Sequence, residues 1–233
     1  MQIKLDQRLQ TIAGYVLPGQ VAADIGADHN YLACYLGEEK ICPRLIAGEK
    51  GLEPWRQAVE NVNQRDLVAV VDTRLGDGLS ILQPGEAATI IIAGMGGALI
   101  RNILAAGWPI VVSAQRLILQ PQKDAPLLRA YLHQRNWCIV AEKIVDVDGI
   151  FYQIIVAEAG EQQLNEREIV FGPCLTRNFS PVFQAYLRQQ LATLRQIEER
   201  MGKPAAGSRR QEIEAEISAI QELLFAEGEA KDI

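Results

Sequence analysis

The sequence lacks any long apolar run. Hydrophobic residues make up 48% of the 233 positions, yet no stretch approaches the roughly 20 consecutive apolar residues that cross a bilayer. The segment from Met1 to Tyr15 is polar and amphipathic, unlike a signal peptide. We therefore expect no membrane span, and the sequence predicts a cytoplasmic protein that can bury a sizeable core.

Cysteine and histidine are scarce, at four and two residues. The cysteines never form a CxxC pair, and they have only His29 and His133 as possible companions in a metal site. The sequence therefore predicts no zinc site and no other metal. In a reducing compartment such cysteines are typically small buried apolar residues, so we assign them no chemistry.

An excess of positive charge is also missing, because 23 Lys and Arg face 29 Asp and Glu and leave a net charge of -6. A polyanionic partner would therefore have to be held by a local basic patch. Three groups of residues are candidates for phosphate contacts: Lys4 with Arg8; Arg116 with Lys123 and Arg129; and Arg188 with Arg195, Arg209 and Arg210. The sequence does not determine the oligomeric state.

Short β-rich runs alternate with helix-like segments between Val21 and Ala157, which is typical of parallel βαβ units with helices on both sheet faces. We predict a lead-in helix between Leu5 and Val16 and a cover helix over Glu53–Arg65. The turn signal Asp148-Gly149 predicts an antiparallel hairpin at the sheet edge. The predicted strands are Val21–Ile25, Leu45–Gly48, Val68–Thr73, Thr89–Ala93, Leu117–Gln120, Cys138–Val145 and Phe151–Ala157.

After residue 160 the pattern becomes helical. Ser180 and Pro181 are a helix start signal. Two stripes of apolar residues at spacings of three or four then predict an antiparallel, coiled-coil-like helical hairpin. The stripes are Phe183, Leu187, Leu191, Leu194, Ile197 and Met201, and then Ile213, Ile217, Ile220 and Leu224. We expect an α/β domain over residues 1–160 and a small helical domain over residues 161–233.

Four predicted strands end in loops of glycines and acids, and in an open parallel sheet such loops meet at the edge where ligands bind. In the first loop, ADIGADHNYL, Gly26 allows a tight turn and Asp28 opens the next helix. A dinucleotide-binding loop would have glycine at the Asp28 position and leave the helix N-terminus to a pyrophosphate. A carboxylate there suits a cationic ligand without phosphate, such as S-adenosylmethionine. A simple helix cap is an equal alternative for Asp28.

The remaining loops extend this interpretation. Glu49 ends the second strand about 20 residues after the first glycine turn, where an acid accepts hydrogen bonds from ribose hydroxyls. Asp77 in RLGDGL is placed to accept from an adenine amino group, although GDG is also an ordinary turn. In IIIAGMGGALI, three glycines around Met95 let another molecule approach the backbone closely. Together the loops indicate a Rossmann-like class I methyltransferase sheet.

At these residues the sequence resembles the bacterial tRNA (adenine-22-N1)-methyltransferases of the TrmK type. The resemblance spans essentially the whole chain and ends in a C-terminal helical hairpin. Its motifs are RLQTIAGYV, DIGADHNYL, AGEKG with GLEPWRQAVENV, GDGL, IAGMGGALI, LILQP and DGIFYQIIVAEAG. The chain departs from the family pattern at Ala27, Lys50 and Gln122, where the family usually has serine, an apolar residue and asparagine.

The resemblance implies a methyl transfer from S-adenosylmethionine to N1 of an adenine in the D arm of tRNA, with the helical domain helping to hold the RNA. Gly94, Met95 and Gly96 are expected to face the target base. The residues expected to line the cofactor pocket are Asp24, Gly26, Asp28, His29, Glu49, Asp77, Gly78, Ala93 and Gly94.

Adenine N1 carries a free lone pair at neutral pH, so the reaction requires alignment and exclusion of water more than a strong base. We expect backbone groups of Gly94 to Gly96 to position the base, and Asp28 to be the carboxylate nearest the reacting atoms. Because N1 lies on the Watson–Crick edge, the adenine must be unstacked or flipped. Two alternatives stay open: a methyltransferase of small molecules, and a non-catalytic S-adenosylmethionine-binding interaction module.

Overall fold

The computed structural model describes residues 3–27, 30–201 and 208–229. Its contacts divide the chain into two compact units, residues 1–174 and residues 175–233. Within the described ranges, no helix is both long enough and apolar enough to cross a membrane. Those ranges also hold no group of three or more His, Cys, Asp or Glu side chains that could bind a metal ion.

The first unit is built on a seven-stranded sheet. Its strands are β1 Ala22–Ile25, β2 Leu45–Glu49, β3 Val71–Leu75, β4 Thr89–Met95, β5 Arg116–Pro121, β6 Trp137–Val147 and β7 Ile150–Ala159. The spatial order is β3-β2-β1-β4-β5-β7-β6. Strands β1 to β5 pair in parallel, whereas β7 is antiparallel to both β5 and β6. The predicted Rossmann-like sheet with a terminal antiparallel hairpin is confirmed.

The hairpin turn follows from two residues. Asp148 and Gly149 have φ values of 53° and 81° and separate the paired residues Val147 and Ile150. A two-residue turn with both φ values positive has the twist that antiparallel strands require, and Asp-Gly tolerates that conformation.

Helices cover both faces of the sheet. In chain order the first unit has α1 Gln7–Tyr15, α2 Tyr31–Glu38, α3 Leu52–Gln64, α4 Gly97–Ala106, α5 Trp108–Val111, α6 Ala125–Gln134 and α7 Glu166–Phe171. The next helix, α8 Pro173–Arg177, contains the boundary between the two units. Side chains alternate along β4, so Ile91 joins the core under α1 to α3 while Ile90 and Ile92 join the core under α4 to α6. The sheet is therefore buried on both sides, which is typical of a parallel sheet.

The third strand was predicted to start at Val68 but starts at Val71. The chain leaves α3 through Asp66, whose φ is 56°, and the amide of Val71 donates to the carbonyl of Leu67 at 2.8 Å. This turn occupies the residues that precede the strand. Val68 has a high strand propensity but is 60% exposed, so local preference was overridden by the reversal of the chain.

The second unit contains two packed helices, α9 Pro181–Arg200 and α10 Ser208–Glu229. The Ser180 hydroxyl accepts a hydrogen bond from the Phe183 amide at 3.2 Å, which confirms the predicted helix start. In α10 Leu223 is fully buried and Leu224 is only half-buried, so the apolar stripe ends one residue earlier than expected. The coiled-coil geometry stays a prediction, and residues 202–207, where the sequence predicts a break between the two apolar stripes, lie outside the described residues.

Candidate functional site

The carboxyl ends of four parallel strands meet at one edge of the sheet. Ile25 of β1 is in register with Gly48 of β2 and with Ile92 of β4, and Ala93 of β4 is in register with Gln120 of β5. The loops that follow β1, β2 and β4 therefore begin side by side, as the sequence predicted, and the loop after β5 begins beside them.

A cavity of about 520 Å³ opens at this edge. Its described lining combines residues from the ends of β1, β4 and β5 with residues from α1, from the start of α2 and from β7. They are Asp6, Arg8, Leu9, Asp24, Gly26, Ala27, Tyr31, Leu32, Ala93, Gly94, Met95, Gln122 and Tyr152. The predicted site residues Asp24, Gly26, Ala93, Gly94 and Met95 are thus brought together.

Two predicted site residues, Asp28 and His29, lie outside the described residues. The roles predicted for them stay predictions.

The described part of the first loop, Gly26 and Ala27, is closed against the neighbouring strand. The amides of Gly26 and Ala27 both donate to the carbonyl of Gly48, at 2.9 and 3.2 Å. Gly26 has a φ of 73°, and a Cβ atom there would collide with Cε of Met95. Asp24 precedes this turn and is 4% exposed. A buried carboxylate beside amides that are already engaged suits a cationic group better than a phosphate.

The fourth loop contains a β-bulge at Gly94. The β4–β5 register shifts between Ala93 and Met95, and Gly94 adopts a φ of 76°. Its amide leaves the strand ladder and donates to Oε1 of Gln120 at 3.1 Å. Bulges re-aim the chain next to active sites, and here the bulge directs the backbone into the cavity wall.

The two glycines after Met95 have different surroundings. Gly96 precedes α4 as its N-cap, with Lys123 beside it, and is not among the described lining residues. Gly97 is buried, and a Cβ atom there would lie 2.5 Å from the carbonyl oxygen of Asp124. Close packing therefore explains Gly97, while the role predicted for Gly96 stays a prediction.

The predicted cofactor residues of the second and third loops lie outside the described cavity lining. Glu49 is 8% exposed at the end of β2. Asp77 is exposed and accepts a hydrogen bond from Nζ of Lys50 at 2.7 Å, which joins the two loops. Gly78, with a φ of 56°, begins the short 3₁₀ helix Gly78–Ile81. The structure places these residues at the same edge of the sheet as the cavity.

Comparison with known proteins identifies the family. Residues 22–222 match the TrmK family, described as tRNA (adenine(22)-N(1))-methyltransferase. A tRNA (adenine(22)-N(1))-methyltransferase of Bacillus subtilis strain 168 is 37% identical over 229 residues, which cover 96% of each chain. The chain belongs to the TrmK family.

Solved structures agree with this assignment. A Streptococcus agalactiae protein of the NADB-Rossmann superfamily has a TM-score of 0.92 at 34% identity and covers 96% of this chain and 99% of its own. A Streptococcus pneumoniae protein in complex with S-adenosyl-L-methionine has a TM-score of 0.88 at 36% identity, with coverage of 95% and 100%. The resemblance seen in the sequence motifs is therefore confirmed.

In this TrmK chain, sequence reasoning missed the contribution of α1 and β7 to the cavity. Arg8 was a candidate phosphate contact, and in the structure its Nη1 donates to Oε1 of Gln120 at 3.0 Å. Its guanidinium also lies 5.4 Å from the centre of the Tyr152 ring and 3.8 Å from a carboxylate oxygen of Asp6. Amphipathic spacing predicted the helix, but no local signal indicated which strand ends it would meet.

One of the candidate phosphate contacts, Arg129, is wrong. Arg129 is fully buried, and its Nε donates at 2.7 Å to Glu142, which is also fully buried. The same guanidinium donates to Oε1 of Gln153 and to the Val170 carbonyl. Arg129 and Glu142 form a buried structural ion pair in the TrmK chain, so Arg129 cannot contact RNA. The sequence analysis treated Arg129 as exposed, because the type of a residue does not reveal whether its charge is paired inside the protein.

The described cysteines fit the expectation of unreactive thiols in part. Cys34 and Cys42 are buried, and burial raises the pKa of each thiol to about 11. Neither forms an appreciable amount of thiolate at neutral pH. Cys138 and Cys174 are half-buried.

Proposed function

We propose that this chain transfers a methyl group from S-adenosylmethionine to N1 of adenine 22 in tRNA. The observation that carries the proposal is the cavity in which a buried carboxylate, a glycine turn and a glycine bulge meet, in a chain of the TrmK family. The activity named for the Bacillus subtilis relative supports the substrate. The S-adenosyl-L-methionine complex of the Streptococcus pneumoniae relative supports the cofactor.

The residues at the sheet edge fit this cofactor, which supplies a methyl group on a positively charged sulfur. Asp24 offers a buried carboxylate to a cationic group, and the amides of Gly26 and Ala27 are already engaged by the Gly48 carbonyl and not available to a phosphate. Glu49 is placed at the end of β2, where an acid accepts hydrogen bonds from ribose hydroxyls. We propose that Asp28, His29, Asp77, Gly78, Ala93 and Gly94 complete the pocket.

The chain's own task in the reaction is alignment. Because adenine N1 is unprotonated at neutral pH, no residue has to remove a proton before transfer. We propose that the backbone from Gly94 to Gly96 positions the flipped base and that Met95, whose side chain lies over Gly26, separates it from the first loop. Asp28 would stabilise the positive charge that develops on the adenine ring.

We further propose that the two parts of the chain have different roles. Residues 1–160 would hold the cofactor and carry out the transfer, while residues 161–233 would help to bind tRNA. A tRNA-modifying enzyme with this substrate would work in the cytoplasm.

Incubation of the protein with labelled S-adenosylmethionine and unmodified tRNA, followed by nucleoside analysis, tests the proposal. We expect one N1-methyladenosine per tRNA, at position 22, and no product from a matched tRNA with guanosine at that position. Cofactor binding without any methylated RNA would overturn the proposal. It would favour a methyltransferase of small molecules or a non-catalytic binding module.

A further inference from the structure

Gln120 is a fully buried polar residue at the carboxyl end of β5, next to the cavity wall. It is 0% exposed and is in register with Ala93, the residue before the Gly94 bulge. It does not line the described cavity, so it would reach a ligand only through its neighbours.

Two donors converge on the amide oxygen of Gln120. The Gly94 amide donates at 3.1 Å and Nη1 of Arg8 donates at 3.0 Å. Because both neighbours are donors, the atom that faces them must be the oxygen, which fixes the orientation of the side-chain amide. Gln120 thereby connects α1 to the bulge of β4.

The nitrogen of the Gln120 side-chain amide has no acceptor in the described part of the chain. This Nε2 atom is buried and has no hydrogen-bond partner among residues 3–27, 30–201 and 208–229. An unsatisfied buried donor lowers stability, and an apolar residue of similar size would avoid that cost. A residue that breaks this rule at a strand end beside a cavity is typical of a functional position.

Both groups that Gln120 holds belong to the cavity wall. Gly94 has a φ of 76°, so its peptide planes are aimed by the bulge and would turn if its amide lost its acceptor. Arg8 is the one positively charged side chain in the described lining, and it is further held by the Tyr152 ring and Asp6. A single acceptor therefore sets the position of the bulge and of this cation together.

We propose that Gln120 is a positioning residue for methyl transfer, acting through the Gly94 bulge and Arg8. The inference rests on the proposed function and extends it to a residue outside the cavity lining. Misplacement of a reacting group by about 1 Å costs on the order of 100-fold in rate. Loss of the shared acceptor is therefore expected to act on the transfer step more than on the binding of either substrate.

Two substitutions separate the acceptor from the bulk of the side chain. Gln120→Leu keeps the volume and removes the oxygen, and we expect kcat to fall on the order of 10- to 100-fold. The KM for tRNA and the Kd for S-adenosylmethionine should stay within about threefold, because the variant leaves the lining residues in place. Gln120→Glu keeps an oxygen that accepts from both donors, and it should retain kcat within about tenfold of the wild type.

Thr89→Val is the matched control. Like Gln120, Thr89 is a fully buried polar residue. It begins β4, at the opposite end of that strand from Gly94, and its hydroxyl accepts from the Leu17 amide at 3.4 Å. We expect this variant to lower the melting temperature while kcat remains unchanged. An unchanged kcat in folded Gln120→Leu, or an equal loss in Gln120→Glu, would overturn the inference. Absence of N1-methyladenosine with the wild-type protein would instead overturn the proposed function.

Discussion

Gly94 and Gly85 both have a left-handed backbone, with φ values of 76° and 78°, but of the two only Gly94 is in the described cavity lining. A Cβ atom meets nothing within 4 Å at Gly85 and only Nη1 of Arg8, at 3.8 Å, at Gly94. Alanine fits at both positions, so the cost is the left-handed conformation, about 1–2 kcal/mol. The two residues therefore form a matched pair for separating backbone strain from catalysis.

We predict that Gly94→Ala and Gly85→Ala lower the free energy of unfolding by a similar amount, while only Gly94→Ala lowers methyl transfer. The expected loss of kcat is about tenfold or more, because relief of the strain turns the peptide that Gln120 holds. Urea unfolding gives the stability of each variant, and single-turnover transfer gives the rate. Equal rates for the two variants would show that the bulge does not position a reacting group.

Asp24 is the described carboxylate best placed to bind a cationic cofactor, since it is 4% exposed and lines the cavity. We predict that Asp24→Asn weakens S-adenosylmethionine binding about 10- to 100-fold, the effect of losing one charge-assisted hydrogen bond. Titration calorimetry measures the change. Asp66→Asn is the control, because it removes the same charge at an exposed position whose φ of 56° asparagine tolerates. Similar losses in both variants would argue against a direct contact by Asp24.

At the scale of elements, the sequence predicted those features of the fold that depend on local residue patterns. Alternating strands and helices predicted the parallel sheet, and Asp148-Gly149 predicted the edge hairpin. The start of β3 was missed because the turn after α3 depends on the whole chain path. The contribution of Arg8 to the cavity was missed for a related reason, since it depends on where α1 docks. Periodicity specifies which face of a helix is apolar but not which strand ends it meets.

The loop that carries Asp77 and Gly78 is anchored by an ion-pair cluster at its base. Arg74 at the end of β3 donates to both carboxylate oxygens of Glu86, at 2.6 and 2.9 Å, and to the Ile81 carbonyl at 2.6 Å. The hydrogen bonds from Arg74 lower the pKa of Glu86 to about 2 from an ordinary value of 4.5. β3, the 3₁₀ helix and the segment before β4 are thus held together beside the site.

We predict a pH-dependent stability difference between the wild type and Glu86→Gln. A carboxyl group with a lowered pKa contributes stability that is present above pH 4.5 and is lost as the pH falls through about 2. The variant should therefore be less stable at pH 7 by about 1–3 kcal/mol, with the gap closing in that acidic range. Urea unfolding across pH measures the difference. Glu60→Gln, exposed on α3, is the control and should change the stability at pH 7 much less.

At the scale of the whole molecule, the proposed reaction needs RNA held by a chain whose net charge is -6. In the second unit the charge is unevenly distributed. Helix α9 carries three arginines and two glutamates, whereas α10 carries two arginines and six glutamates. Arg188 and Arg195 are exposed and two turns apart on α9, so they lie on one face of that helix. A tRNA backbone is therefore expected to contact α9 more than α10.

We predict that Arg195→Glu raises the Kd for tRNA by about tenfold and makes its salt dependence shallower, because a phosphate contact is lost. Arg209→Glu makes the same charge change on α10, where Arg209 already pairs with Glu212 at 3.2 Å, and it should alter tRNA binding much less. Filter binding at several salt concentrations measures both variants. The Kd for S-adenosylmethionine should stay within about threefold in each, since only the RNA contact changes. Equal weakening by both substitutions would indicate a general effect of net charge and contradict an RNA-binding face on α9.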